Sequence, residues 1–221
     1  MRLFLIPRSD YLIDRVWDTI GLRATGSNDV VMDDVFVPGY RTYAPDPGFA
    51  PLPASSGLSD FHRLPWMHMF TTSVANIGVG AGRAALSAFT EVARTRRGGP
   101  TNAASRDNPA FLSVIGRTAA AIDTIDRNAK DNFALLHDCV ARDQTLPPER
   151  ALTLRSQLTG SLREVTTLVD QMMLLLGGRG IRRDGPLTPI WMDLMAARAH
   201  PGNDPAAIHA QLATTMLDTP S

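Results

Sequence analysis

The sequence lacks the features that would tie the protein to an oxidising compartment, a membrane or a nucleic acid. Its 221 residues include one cysteine, Cys139, so no disulfide can form within the chain, as is typical of the reducing cytoplasm. No apolar run approaches the roughly 18 residues of a membrane-spanning helix, and Pro7 ends the first one too early for a signal peptide. The 22 basic residues balance 22 acidic ones without any block of like charge. We therefore expect a cytoplasmic protein that binds neither nucleic acid nor membrane.

Signals for several common catalytic chemistries are also missing. No pair among the five histidines has the spacing of metal ligands, so no metal site is predicted. The chain contains no G-x-S-x-G motif of a serine nucleophile. Its glycine-rich segment, residues 174–185, lacks the Lys and Ser/Thr pair of a phosphate-binding loop. Any function has to be sought in the other loops.

The first 43 residues differ in character from the rest. Short apolar or valine-rich runs, "RLFLIP", "YLIDRVW" and "DVVMDDVFVP", predict three or four strands, which is too little sheet to be stable alone. Residues 44–64 carry four prolines and few periodic apolar positions, which predicts a linker or an extended surface crossing. After this segment the strand signal disappears.

Residues 65–221 carry the pattern of a helical bundle. Apolar residues recur every three or four positions from Val74 to Val92, from Ile115 to Val140 and from Leu154 to Leu175. Helices of about 30 residues would each be roughly 45 Å long, and two shorter helices follow them. The fold class is therefore mainly α, an antiparallel bundle preceded by a partial β segment. Cys139 lies within the second pattern, where core packing explains it.

Three loops contain candidate ligand-binding residues, and the first is "GLRATGSNDV", residues 21–30. It can be a plain strand connection in which Gly26 and Asn28 adopt positive φ. It can also be a polar lip whose Thr25 and Ser27 side chains and backbone N–H groups face a ligand. Spacing does not decide between these interpretations.

The second loop is "LLLGGRGIRRDG", where Gly177 and Gly178 would end the third long helix. Adjacent glycines also allow a flat or phosphorylated ligand to approach the backbone, with Arg179 as its cationic partner. The two roles are compatible.

The third loop is "AARAHPGNDP", residues 196–205, in which a helix ends on His200 before Pro201 and Gly202. His200 either caps this helix through the helix dipole or directs its imidazole at a ligand. We expect the other histidines to be structural: His62, His68, His137 and His209.

Taken in order, four segments resemble the acyl-CoA dehydrogenase superfamily: "FLIPRSD", "GLRATGSNDVVMDDVFVP", "LLLGGRGIRRDGPL" and "IWMDLMAARAHPGNDP". They resemble most closely its flavin-dependent monooxygenase branch, the oxygenase components of two-component hydroxylases. Members have an N-terminal helical domain, a middle β domain and a C-terminal bundle. The resemblance implies that this chain corresponds to the C-terminal portion and begins inside the middle domain.

The resemblance also implies a site. Reduced flavin, FMN or FAD, would come from a separate reductase and lie between the β domain and the bundle, partly against a neighbouring subunit. His200 would be catalytic, where the dehydrogenases carry a glutamate. Arg96, or Arg97, would contact the phosphates of the neighbour's flavin. The remaining residues implied to bind the cofactor are Thr25, Ser27, Gly177, Gly178, Arg179 and Asn203.

The leading hypothesis is an oxidoreductase that uses reduced flavin and O2 to hydroxylate an aromatic or polyketide-like small molecule, incomplete without an N-terminal half that a partner chain could supply. Two alternatives are a catalytically inactive or assembly subunit and an acyl-CoA dehydrogenase-like FAD protein. Some positions depart from the family pattern, since Pro189 and Met192 replace arginines and Pro109 replaces a glutamine. We expect a homodimer or homotetramer, because the family associates through the bundle.

Overall fold

The structure, a computed structural model, describes residues 2–44, 50–98 and 103–218. A small β segment precedes a helical bundle, in the predicted order. Four parts of the predicted regions lie outside the described residues: residue 1 of the β segment, 45–49 of the linker, 99–102 after the first long helix, and 219–221 of the bundle.

The β segment consists of two antiparallel ribbons. Strand β1 (Leu3–Phe4) pairs with β4 (Thr42–Tyr43), and β2 (Leu12–Asp14) pairs with β3 (Asp29–Val31). The prediction of three or four strands is therefore correct. Most of their large apolar side chains are exposed: Leu3, Phe4, Leu12, Ile13, Val30, Val31 and Tyr43. Two-stranded ribbons with exposed apolar faces are marginal in water, so these faces require additional packing partners.

The second half of the predicted linker is folded rather than extended. It contains the short helix α1 (Asp60–Arg63), and only 4% of the Arg63 surface is exposed. The Arg63 guanidinium donates through Nε to the carbonyl of Leu52 at 2.9 Å and forms ion pairs with Asp60 and Asp143. Because a buried charge is tolerated when it is paired and hydrogen-bonded, this contact fixes the linker to the bundle.

The bundle has three long helices of 30, 33 and 29 residues, close to the predicted length: α2 (Trp66–Thr95), α3 (Pro109–Ala141) and α4 (Pro148–Leu176). The shorter helices are α5 (Thr188–Arg198) and α6 (Pro205–Asp218). Prolines in the first turns of α3, α4 and α5 suit positions that need no backbone N–H. Within the described parts of the chain, no helix has both the length and the hydropathy needed to cross a membrane.

Two glycines allow α2 and α4 to pack closely. A Cβ atom on Gly78 would lie 2.7 Å from Leu162 Cδ1, and one on Gly82 would lie 3.0 Å from Val165 Cγ1. The order of these contacts makes α2 and α4 parallel, with α3 antiparallel to both. Most residues of the predicted apolar stripes are in the core, including Phe89, Ile125, Leu162, Val165 and Met172. Ile77 and Ala119 of these stripes are exposed instead. Cys139 packs against a second cluster around Leu136, Val140 and Leu154, as expected.

One pair of strands was not predicted. Between α2 and α3, strand β5 (Arg97–Gly98) pairs antiparallel with β6 (Ala103–Ala104). The expectation that strands end with the β segment is therefore wrong. Two-residue strands are too short to show the alternation of apolar and polar residues that marks a strand in a sequence.

Candidate functional site

The loop after Trp17 is anchored on helix α5. The backbone N–H of Leu22 donates to Asp193 Oδ1 at 2.6 Å. A Cβ atom on the buried Gly21 would lie 2.0 Å from the Met192 carbonyl oxygen, so the two backbones are in direct contact. Trp17 Nε1 donates to the Leu22 carbonyl at 3.0 Å and closes the loop from within.

Thr25 and Ser27 are exposed on this loop, with their hydroxyl oxygens 3.4 Å apart. The Thr25 hydroxyl donates to the Leu22 carbonyl at 2.8 Å, which leaves its oxygen lone pairs for a ligand. Gly26 has φ +57°, as predicted, but Asn28 does not have positive φ; Leu22 does, at 52°. The Asn28 side chain instead accepts from the Trp17 N–H at 3.1 Å.

His200 lies outside helix α5, which ends at Arg198. The prediction that the helix ends on the histidine is wrong by two residues, because a residue before proline is disfavoured in helical conformation. His200 is extended, with φ −66° and ψ 130°, and precedes a 3-10 turn, Pro201–Asn203. Its Nδ1 atom accepts from the Gly202 N–H at 3.0 Å. In the neutral ring the proton is therefore on Nε2, so the exposed ring presents a hydrogen-bond donor.

Asn203 holds this turn in place. Only 1% of its surface is exposed, and its Nδ2 atom donates to the Ala197 carbonyl at 2.8 Å. Its backbone N–H donates to the His200 carbonyl at 2.8 Å. Its Oδ1 atom is buried without a hydrogen-bond partner among the described residues, and a water molecule would satisfy it. Asn203 thus bonds the turn that carries His200 to the last turn of α5, and its predicted contact with the cofactor stays a prediction.

An aromatic wall that we did not predict lies beside His200. The Phe70 ring centroid is 5.7 Å from that of His200, and Trp66 stacks on Phe70 at 5.1 Å with 6° between the planes. Ile77, which is 48% exposed, lies on the same face of α2, since 66, 70 and 77 are spaced by four and seven residues. The aromatic pair at the start of α2 is visible in the sequence, but only the tertiary fold brings it to the histidine.

The other predicted cofactor residues lie where α4 ends. Gly177 has φ +58° and ends the helix, as predicted, and no atom lies within 4 Å of a Cβ on Gly177 or Gly178. The adjoining Arg179 is exposed. Arg96, in contrast, donates to the Leu175 carbonyl at 3.1 Å and stacks on Phe111, so its guanidinium is already engaged within the chain.

The chain therefore holds two separate groups of candidate residues. Asp193, which anchors the Thr25 loop, lies in the middle of α5, seven residues before His200, which follows the end of this helix. Phe70 and Arg96 lie at opposite ends of α2, about 39 Å apart along its axis. Gly177 is at the Arg96 end. A single chain brings His200 to Phe70 at one end of α5. At the other end of α5 the Thr188 hydroxyl donates to the carbonyl of Gly180, next to Arg179, at 2.8 Å. The Thr25 loop lies against this second end, where Thr25 and Pro189 line the same pocket.

The remaining histidines show no arrangement for metal binding. His68 is fully buried, and burial followed by the charge of Arg155 lowers its pKa from 6.5 to about 4. The His62 Nδ1 atom is 2.8 Å from the Ser59 hydroxyl. Among the described residues, no group of three or more histidine, cysteine or carboxylate side chains could hold a metal ion.

Comparison with known proteins places this arrangement in a family. Residues 72–205 match the family of acyl-CoA dehydrogenase C-terminal domains. The chain belongs to this family. It is 32% identical, over 91% of its length and 52% of the relative's, to the flavin-dependent monooxygenase oxygenase subunit HsaA of Mycobacterium tuberculosis. It is 30% identical, over 96% of its length and 55% of the relative's, to the oxygenase component of an FADH2-dependent resorcinol hydroxylase from a Rhizobium species.

A solved structure agrees with these sequence relatives. XiaF from a Streptomyces species, in complex with FADH2 and glycerol, superposes with a TM-score of 0.88 at 27% identity. The superposition covers 100% of this chain and 57% of XiaF. The predicted fold and the resemblance to the C-terminal portion of the monooxygenase branch are thus confirmed. The chain spans about half the length of the curated relatives it matches, 52 to 58%.

Proposed function

We propose that the chain forms the C-terminal part of a flavin-dependent monooxygenase oxygenase component, which hydroxylates an aromatic or polyketide-like small molecule. The observation that carries the proposal is the exposed His200 imidazole, which keeps its Nε2–H free of the Gly202 bond and whose ring lies beside Phe70, on which Trp66 stacks. A partner chain or further domain would supply the N-terminal half of the site. A separate reductase would supply the reduced flavin.

The proposed chemistry gives His200 one role. When bound, reduced flavin would supply the two electrons that allow one oxygen atom of O2 to be inserted into the substrate while the other leaves as water. The Nε2–H of His200 would donate to the reacting oxygen, and a fixed donor of this kind stabilises developing negative charge without reorganisation. Because Nδ1 accepts from Gly202 and Nε2 carries the proton, the geometry favours a donor over a general base.

The residues present fit a bound flavin in two parts. Thr25 and Ser27 expose polar oxygens on the loop anchored to α5. The open space over Gly177 and Gly178 and the exposed Arg179 suit a phosphate group. His200 contacts Phe70 at the start of α2, whereas Arg179 follows the end of α4, beside the other end of α2. We therefore propose that two copies contribute to a composite site, one through His200 and the other through Arg179. Arg96, already bonded to Leu175, would act there through packing.

The loop that carries His200 argues against the dehydrogenase alternative. Proton abstraction from an acyl thioester needs a base within hydrogen-bond reach of the substrate. The nearest carboxylate in the chain after His200 is Asp204, which accepts from the Ala206 N–H at 3.0 Å at the start of α6. Its role at this helix start is structural. The monooxygenase relatives do not favour this alternative or the inactive-subunit alternative.

The first test measures binding before turnover. The chain is titrated anaerobically with reduced FMN and reduced FAD, and then exposed to O2 with a phenol, with and without an N-terminal half from a relative. We expect saturable binding of reduced flavin and a hydroxylated product when both halves are present. Absence of binding under all of these conditions would contradict the proposed function.

A second test addresses the composite site. His200→Asn and Arg179→Gln subunits are prepared separately, mixed in equal amounts, and assayed for flavin-dependent hydroxylation with the N-terminal half supplied. If each site takes residues from two copies, random dimers would restore about a quarter of the wild-type sites, because half the dimers are mixed and each has one intact site. Sedimentation should show a dimer or tetramer. Recovery that stays at the level of the separate variants would exclude the composite site.

A further inference from the structure

We infer that Asp193 is a positioning residue: its carboxylate holds the loop of residues 21–28 at a fixed distance from His200. The carboxylate accepts the Leu22 N–H at 2.6 Å across 171 residues of sequence. The inference about loop position comes from contacts within the chain. Its consequence for flavin binding rests on the proposed function.

The loop needs such an anchor because Leu22 has an unfavourable backbone conformation. Its φ of 52° and ψ of 33° lie in the left-handed region, which is uncommon for a residue with a branched side chain. The Leu22 carbonyl accepts from Trp17 Nε1, from the Thr25 hydroxyl and from the Thr25 N–H, at 3.0, 2.8 and 3.1 Å. Leu22 is thus the centre of the loop, and its own N–H is bonded to Asp193.

Three contacts connect the loop to His200 through helix α5. The Gly21 backbone lies against the Met192 carbonyl, where a Cβ would be only 2.0 Å away, so the loop has no room to move towards α5. Asp193 prevents movement away from α5. At the other end of the helix, Asn203 bonds the turn that holds His200 to the Ala197 carbonyl. Helix α5 therefore acts as a spacer between the loop and His200.

A carboxylate suits this role. Hydrogen bonds to an ionised acceptor are shorter and stronger than those between neutral groups, in line with the 2.6 Å distance. An asparagine at this position would keep an acceptor oxygen of the same reach. Alanine would leave the Leu22 N–H without its partner. The asparagine variant therefore tests whether the negative charge is needed, and the alanine variant tests whether the acceptor is needed.

The test measures loop position without flavin. In a Cys139→Ser background, nitroxide labels on Ser27→Cys and His209→Cys report the loop-to-bundle distance by pulsed electron resonance. We expect a narrow distance distribution with Asp193 and with Asp193→Asn, and one at least twice as broad with Asp193→Ala. The control Asp131→Ala removes an exposed carboxylate of α3 and should leave the distribution narrow. An unchanged distribution in Asp193→Ala would overturn the inference.

A second measurement links position to binding. We expect the dissociation constant for reduced flavin to rise about tenfold in Asp193→Ala, with recovery in Asp193→Asn, at an unchanged thermal midpoint. If Asp193→Ala broadens the distance distribution but leaves the dissociation constant for reduced flavin unchanged, Asp193 supports the loop only locally. That result would overturn its link to the cofactor. If the wild-type chain with its N-terminal half binds no flavin, the proposed function fails, while the label distances still decide whether Asp193 positions the loop.

Discussion

Replacing His200 with asparagine is expected to uncouple the proposed reaction while leaving the fold intact. The asparagine carbonyl oxygen can accept the Gly202 N–H as Nδ1 does, so the turn keeps its cap. The donor that Nε2 presents is lost. Loss of general acid or base assistance lowers rates by about 10²–10⁴-fold, roughly 3 to 5 kcal/mol of barrier. Reduced flavin should still be consumed, with hydrogen peroxide replacing the hydroxylated product.

The measurement is the ratio of hydroxylated product to peroxide, with the N-terminal half supplied. His62→Asn is the matched control, because His62 is exposed and its Nδ1 atom lies 2.8 Å from a serine hydroxyl. If His200 only caps the turn, the substitution should cost at most about 1 kcal/mol of stability and leave coupling unchanged. That result would assign His200 a purely structural role.

The long helices could be predicted because their apolar positions repeat at the helical period over many turns. The C-terminal end of α4 could also be predicted, since Gly177 takes a positive φ that ends a helix without strain. The end of α5 was misplaced because Pro201 excludes His200 from the helix, and we interpreted the apolar pattern as continuing to the histidine. The proline that sets the end of α5 is visible in the sequence, so this boundary could have been predicted correctly.

Other features depend on contacts between residues far apart in sequence. Leu22 has positive φ, and its N–H is bonded to Asp193, which comes 171 residues later in the sequence. Arg63 is buried in a segment that we predicted to be an extended linker, because the carboxylate of Asp143 comes from the end of α3. No local propensity encodes either result.

The candidate site also combines features that the local sequence predicts with features that depend on tertiary contacts. The sequence singles out His200 by its place before proline and glycine. The aromatic wall of Phe70 and Trp66 becomes part of the site only because the turn after α5 packs on the start of α2. Arg96, predicted to bind phosphate, instead bonds to the Leu175 carbonyl, since α2 and α4 are parallel and end side by side.

Acidification is expected to destabilise the bundle through His68. This histidine is fully buried in α2, and burial together with the charge of Arg155 lowers its pKa from 6.5 to about 4. The unfolded chain binds a proton below pH 6.5, whereas the folded chain binds one only near pH 4. The stabilisation is therefore complete above pH 6.5 and is lost as the pH falls towards 4. The difference between these two pKa values corresponds to about 3 kcal/mol of stability.

The check is urea unfolding of the wild type and His68→Gln at pH 7.5 and pH 4. Glutamine does not titrate, so the free energy of unfolding of the variant should fall by about 3 kcal/mol less over this interval than that of the wild type. His137→Gln is the control, because His137 is exposed on α3. It should retain the wild-type dependence on pH. Equal losses in the wild type and His68→Gln would show that His68 takes up its proton without opposing the fold, and that other groups cause the acid sensitivity.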